Sequence, residues 1–308
     1  NDRRRSSCGG ISEYSGCGRD DSGTCRTDSK LRILRGNHGT LFKWNYRSRS
    51  DDVRTFGKCR SWTFGENYYR LFPESFRKDG KWENEGYVRF KNRYGTDEKY
   101  QSSVKGYYRL IAGIDEAIGK LRKKLKEMGL DKNTLIIFTS DNGYYLGEHG
   151  LEGKWYGHEE SIRLPLVIYD PRLEKPVKKI DEIALNIDLT STMLDYAGIR
   201  QLEKMQGESL RPLMEGKKIK WRQEFLYEHL MNLDKKGWYV YIPQTEGLVT
   251  KRYKYMRYFV NNQSHTPIYE ELFDIKKDPY EKKNLIKNKA DLAGRMRTRV
   301  DNLIKVIK

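Results

Sequence analysis

Four side chains between Ser140 and Lys154 could do chemistry together: Asp141, Asn142, His149 and Lys154. Asp141 and Asn142 offer a carboxylate oxygen and an amide carbonyl. Both are hard oxygen donors suited to Ca²⁺ or Mg²⁺. Gly143 frees the backbone to turn sharply directly after them. Ser-Asp-Asn-Gly by itself is an ordinary turn composition, so its weight comes from its surroundings. It follows Thr134-Leu135-Ile136-Ile137-Phe138-Thr139, a continuous apolar run rich in β-branched residues. Such a run predicts a strand buried on both faces, of the parallel-sheet type. In an open α/β sheet, ligands bind beyond the carboxyl ends of the strands, and Asp141 and Asn142 fall at that point.

The flanking elements are of the kind that could position such a loop. Leu110, Ile111, Ile114, Ala117, Ile118, Leu121, Leu125 and Met128 recur at helical spacing, with Lys120, Arg122, Lys123, Lys124 and Lys126 between them. This predicts a long amphipathic helix over 104–128 with one buried face, ended by Gly129. Leu164–Tyr169 reads as the next strand, and Asp188–Ala197 as a short helix closed by Gly198. Helix, strand, loop, strand, helix is the rhythm of an α/β sheet. Beyond residue 200 the pattern changes. Gly247–Phe259 and Ile268–Asp274 read as an antiparallel pair, and a last helix is expected over Lys289–Ile307.

The motifs around the loop carry a resemblance. Ser140-Asp141-Asn142-Gly143 leads to Gly147-Glu148-His149-Gly150, then to Gly153-Lys154-Trp155-Tyr156, then to Glu159-Glu160-Ser161-Ile162-Arg163-Leu164-Pro165-Leu166. This nearly continuous series resembles the sulfatase family of the alkaline phosphatase superfamily, with its S-D-[NH]-G, G-x-H-G, Lys and E-[ES]-x-[IV]-R-x-P-L motifs. Further similarity lies in Tyr107–Asp115 and in Asn186–Ile199, where Ser191 stands at a usual proline. It continues in Gln206–Leu210, Arg252–Tyr255, Glu271–Asp274, Asp278–Glu281 and Asn284-Leu285, so that it spans about residues 100 to 290.

The resemblance implies an α/β fold, a sulfatase-like (alkaline phosphatase-like) sheet with helices on both faces. The sheet is incomplete here and is followed by a small C-terminal α+β antiparallel subdomain. It also implies that Asp141 and Asn142 are ligands of an active-site Ca²⁺, and that Lys154 contacts sulfate oxygens. His149 would line the pocket beside them. The implied activity is hydrolysis of sulfate esters, of a sulfated small molecule or polysaccharide. Relatives of this kind are usually exported or lysosomal, which implies an extracytoplasmic parent protein. Three features of the family do not appear: a strand-ending acidic pair, C-x-P-S-R with its formylglycine-forming cysteine, and an intact G-K-W-H segment. Cys25 is followed by Arg26-Thr27-Asp28, Asp20-Asp21 and Asp51-Asp52 end no apolar strand, and Phe56-Gly57-Lys58-Cys59 diverges after the lysine. Activity is therefore expected to be impaired, and the nucleophile is not assigned to Cys25. The alternatives are a phosphodiester or phosphonate ester hydrolase of the same superfamily, and a non-catalytic basic remnant that binds polyanions. His158, His229 and His265 match no catalytic position and are expected at the surface or in packing.

Composition bounds these expectations. The chain has 308 residues and 37% hydrophobic residues, enough for a folded core. Its net charge of +17 suits a solvated lysine-rich surface or a polyanionic substrate. No motif supports nucleic-acid binding, and no apolar run is long enough to span a membrane. Asn1–Arg5 lead into no apolar segment, so no signal peptide is visible. Residues 1–60 hold 11 Arg and 3 Lys and show no periodicity. They read either as a disordered basic tail or as a segment in the wrong frame. All four cysteines, Cys8, Cys17, Cys25 and Cys59, lie there, which excludes a disulfide framework for the whole chain. The expected organisation is 1–60 as that segment, 61–200 as a partial α/β core, and 201–308 as the C-terminal subdomain.

Overall fold

The computed structural model describes residues 61–80, 82–230, 240–260 and 266–307, together with the backbone of three short strands before residue 43. The chain divides into two units, residues 1–35 with 45–59, and residues 36–44 with 60–308. In the first unit the described residues form one antiparallel pair, β1 (Gly18–Arg19) with β2 (Cys25–Arg26). The side chains of Cys8, Cys17, Cys25 and Cys59, both upstream acidic pairs, the tail reading of residues 1–60, and His265 lie outside the described residues.

The second unit opens with β3 (Gly39–Phe42), followed by helices α1 (Ser61–Tyr69), α2 (Glu74–Arg77), α3 (Glu85–Tyr94) and α4 (Asp97–Glu127). Asn84 and Thr96 cap α3 and α4 by accepting the amide hydrogens of Gly86 and Lys99, satisfying N–H groups that a helix start leaves unpaired. Next come β4 (Ile136–Thr139), β5 (Tyr145–Leu146), β6 (Glu152–Gly153), α5 (Glu159–Ile162), β7 (Leu166–Tyr169), β8 (Lys179–Ile180), α6 (Ile187–Tyr196) and α7 (Arg211–Met214). The first sheet has the order β4-β7-β3-β8. The second is a four-stranded antiparallel sheet of β9 (Glu224–His229), β10 (Gln244–Thr250), β11 (Tyr253–Phe259) and β12 (Tyr269–Asp274), backed by α8 (Ala290–Ile307).

Three expectations are corrected. The strand before the Asp141 loop is not buried on both faces. Ile136–Thr139 is half-buried throughout and pairs antiparallel with Leu166–Tyr169, because it lies at the end of the described sheet with one neighbour. Apolar content alone does not distinguish such a strand from an interior parallel one. The long helix exists but its apolar face is largely open. Val104 is its one buried residue, while Leu110 and Leu121 are 70% and 53% exposed. At 31 residues it is roughly 45 Å long and outruns the partners of its first turns. Gly247–Phe259 is not one strand but a tight hairpin, in which Thr250 Oγ1 accepts the amide hydrogens of Arg252 and Tyr253. β9 and α1 to α3 were not anticipated.

Alternation across β11 divides the packing of the second sheet. Tyr255 faces α8 and packs with Leu248, Leu272, Met296 and Val300. Met256 and Tyr258 face the other way, into a cluster with Phe72, Phe76, Tyr145, Leu151 and Tyr156. Lys254 shares their parity and is fully buried. A third cluster of Ile168, Ile180, Leu210, Met214 and Trp221 covers the first sheet.

Asp188, fully buried, ties α6 to the Gly207–Leu210 turn. It accepts from the amides of Leu185 and Glu208 at 2.7 and 2.9 Å and from the Arg222 guanidinium. Gly207 permits the contact: a Cβ there would stand 2.2 Å from the carbonyl oxygen of Ile187. Asp188→Ala removes the buried carboxylate from Arg222 and leaves two amides unpaired, and is expected to cost about 3 kcal/mol in urea unfolding.

Candidate functional site

The Asp141 loop is fastened at both ends. Ser140 Oγ donates to the Asn142 carbonyl at 3.0 Å, and Asp141 Oδ1 accepts the Asn142 amide at 2.9 Å. The Gly143 amide donates to the Ser161 carbonyl at 2.8 Å. A Cβ on Gly143 would lie 2.1 Å from the carbonyl oxygen of Glu160, so glycine is required for the loop to rest directly on α5.

Of the four anticipated site residues, the structure brings three together. Lys154 Nζ donates to Asn142 Oδ1 at 2.7 Å, and Asp141, adjacent in the chain, is exposed. Lys154 lies between two residues with φ near +91°, Gly153, which adopts it freely, and Trp155, which does not. For tryptophan that conformation costs on the order of 1–3 kcal/mol. It is maintained by Arg89 over the Trp155 ring at 5.0 Å and by the buried Tyr156, whose hydroxyl donates to Asn84.

His149 stands apart from these three. Its ring is 4% exposed, stacked on His158 with centroids 4.1 Å apart, with Nε2 3.4 Å from Glu160 Oε2. Its backbone is left-handed at φ 57°. Burial alone would lower the pKa of His149, but the Glu160 carboxylate outweighs it and the net shift is upward. In this position His149 braces α5, on which the Asp141 loop rests.

The other described histidines take packing positions, one of the two roles expected of them. His158 is fully buried, not superficial. Tyr145 Oη bonds its Nδ1 at 2.7 Å, Glu271 Oε2 lies 3.2 Å from its Nε2, and burial pushes its pKa down. His229, at the end of β9, is half-buried. Burial first, and then the Lys154 ammonium, lower its pKa.

Behind α5 lies a set of buried charges that sequence reasoning missed. Lys254 Nζ is 2.7 Å from Glu159 Oε1 and 2.8 Å from Glu281 Oε1, and Glu281 Oε2 accepts the Glu159 amide at 2.6 Å. Burial pushes the Glu281 carboxyl up; Lys254 opposes this, Glu159 and Glu160 add to it, and the result is about 7. A carboxyl raised in the folded state stabilises the fold when protonated, and that contribution is lost as pH rises from its ordinary 4.5 through about 7. Glu281→Gln is therefore expected to flatten the fall in melting temperature between pH 5 and 8 relative to wild type, as read by thermal unfolding.

As a metal site the described residues are a partial fit. The loop presents oxygen donors on Asp141 and Asn142, the donor type Ca²⁺ prefers, against the roughly six to eight it coordinates. Among the described residues no group of three or more His, Cys, Asp or Glu side chains is placed to hold a metal ion.

Comparison with known proteins bears on this geometry. The sequence model of the family described as Sulfatase matches residues 35–199, and that described as N-sulphoglucosamine sulphohydrolase, C-terminal, matches residues 147–306. N-acetylglucosamine-6-O-sulfatase of Bacteroides thetaiotaomicron is 31% identical over 202 residues, 65% of this chain and 34% of that protein. A protein solved in complex with its substrate D-glucosamine-2-N,6-O-disulfate superposes with a TM-score of 0.60 at 28% identity, over 68% of this chain and 42% of that one. Phosphonate monoester hydrolase of Agrobacterium radiobacter superposes with a TM-score of 0.60 at 25% identity, over 69% of this chain and 43% of that one. The chain thus spans about a third of the length of the first of these relatives.

Proposed function

The chain belongs to the sulfatase family, and on that premise we propose that it carries one wall of a sulfate-ester hydrolysis site, formed by Asp141, Asn142 and Lys154. The single observation that carries the reading is the Lys154 Nζ to Asn142 Oδ1 contact at 2.7 Å. It joins the two halves of the motif series at one place, a pair of hard oxygen donors and a cation. Asp141 and Asn142 would hold the Ca²⁺ ion, which when bound supplies fixed positive charge beside the ester. Lys154 Nζ then exchanges the Asn142 oxygen for a sulfate oxygen. There its ammonium stabilises the charge that develops on the transferring sulfuryl group. The left-handed turns at Gly153 and Trp155 fix where the Lys154 side chain starts, which makes that cation preorganised. His149, buried against Glu160, holds the wall in place without touching the ester.

The proposed substrate class is a sulfated sugar. The relative acting on N-acetylglucosamine 6-O-sulfate and the neighbour bound to a disulfated glucosamine support it, as does the net charge of +17. Among the described residues no helix is long and apolar enough to cross a membrane. We place the parent protein outside the cytoplasm, on the family resemblance alone.

Turnover of 4-nitrophenyl sulfate, 4-nitrophenyl phosphate and 4-nitrophenyl phenylphosphonate with added Ca²⁺ tests the reading. The expected result is slow, Ca²⁺-dependent turnover that favours the sulfate. Preference for the phosphate or phosphonate would contradict it, and absence of all turnover would favour the non-catalytic remnant.

A further inference from the structure

Lys254 and Glu281 are both fully buried, and their side-chain ion-pair and hydrogen-bond partners are Glu159 and each other rather than Asp141, Asn142 or Lys154. Burying such charges is costly unless they are paired and hydrogen-bonded, and here the partners converge on one short turn. Lys254 projects from β11 onto Glu159 Oε1, and Glu281, held in a left-handed conformation at φ 51°, receives the Glu159 amide. The adjoining Glu160 pairs with His149, and Glu271 of β12 pairs with His158, which stacks on His149. The outer side of the same turn carries the Asp141 loop, through the Gly143 amide on the Ser161 carbonyl and the close approach of Gly143 to Glu160. Three links therefore connect the second sheet to the loop: sheet to Lys254 and Glu281, these to α5, and α5 to Gly143.

We propose that Lys254 and Glu281 are positioning residues for the Asp141–Asn142 loop, holding it in place through α5. The mechanical part stands on the contacts alone, and its relevance to function rests on reading Asp141 and Asn142 as metal ligands. The second sheet then serves as a scaffold that sets the loop's geometry. A lysine at 254 is suited to this because one ammonium can bond two carboxylates from different segments at once, whereas an apolar residue would pack without orienting α5.

Amide hydrogen exchange on the full chain tests this, with the β10 and β11 amides as an internal reference. In Lys254→Met the Gly143 amide is expected to exchange at least tenfold faster than the fall in global stability accounts for, that fall being read from the slowest β10 and β11 amides. A role confined to general stability would speed all of them together. Calcium titration of the same variant is expected to show at least a fivefold weaker dissociation constant. If Lys254→Met does not fold, Glu281→Gln, which keeps the volume, is read in the same way. Unchanged protection of Gly143 in a folded variant would overturn the proposal. Faster exchange at Gly143, combined with calcium binding that Asp141→Ala leaves unaltered, would support the mechanical link and overturn the ligand reading instead.

Discussion

Lys254→Met is expected to lower the free energy of unfolding by about 3–5 kcal/mol, the largest stability loss of any single substitution considered. Lys254 is fully buried and lies within 2.8 Å of carboxylate oxygens from Glu159 and Glu281. Removing the cation leaves two carboxylates without their shared buried partner, the situation in which breaking a buried pair costs most. The Glu281 carboxyl, already raised to about 7 by burial, would then take up a proton at still higher pH. Urea unfolding of Lys254→Met and of Lys254→Met with Glu281→Gln separates the terms. The double variant should recover part of the loss, because it removes one of the stranded charges. A loss below about 1 kcal/mol would mean that the three groups are not held as an ionic cluster.

Lys154→Ala is expected to reduce sulfate-ester turnover about 10²–10³-fold, the effect of deleting one preorganised donor from a charge-stabilising site. The folded state should hardly notice. Lys154 is half-exposed and, among the described residues, hydrogen-bonds Asn142 Oδ1, so stability should change by less than about 1 kcal/mol. Large loss of turnover with little loss of stability separates Lys154 from Lys254, for which the opposite order of effects is expected. Parallel thermal unfolding and 4-nitrophenyl sulfate turnover on both variants measure the contrast.

The contact of Lys154 with Asn142, beside Asp141, was legible in the sequence because these residues lie within one short stretch, and local motif order places such residues together. The long helix and the strand that precedes the loop were legible from periodicity and apolar content. Their environments were not. Which faces of Leu110 or Ile136 are covered depends on the partners supplied by other segments, and residue types do not reveal that. The hairpin at Lys251-Arg252 escaped because its turn carries neither Gly nor Asn, the usual markers. The buried cluster behind α5 escaped for a different reason. Glu159, Lys254, Glu271 and Glu281 come from three separate parts of the chain, and charged residues are ordinarily expected at the surface. The motif context held the one usable signal: Arg252-Tyr253-Lys254 and Asp278-Pro279-Tyr280-Glu281 recur in the resemblance without an assigned role. In the structure Lys254 and Glu281 meet. His149 illustrates the converse, since its place between Asp141-Asn142 and Lys154 in sequence suggested the pocket, while in the fold its ring lies inward against His158 and Glu160.

Calorimetric titration of D-glucosamine 6-O-sulfate into the full chain tests the central claim most directly, with and without Ca²⁺, for wild type, Asp141→Ala and Lys154→Ala. The proposed site predicts binding by wild type that requires Ca²⁺, is lost in Asp141→Ala, and is weakened at least tenfold in Lys154→Ala. Equal affinity in all three proteins, with or without Ca²⁺, would contradict it.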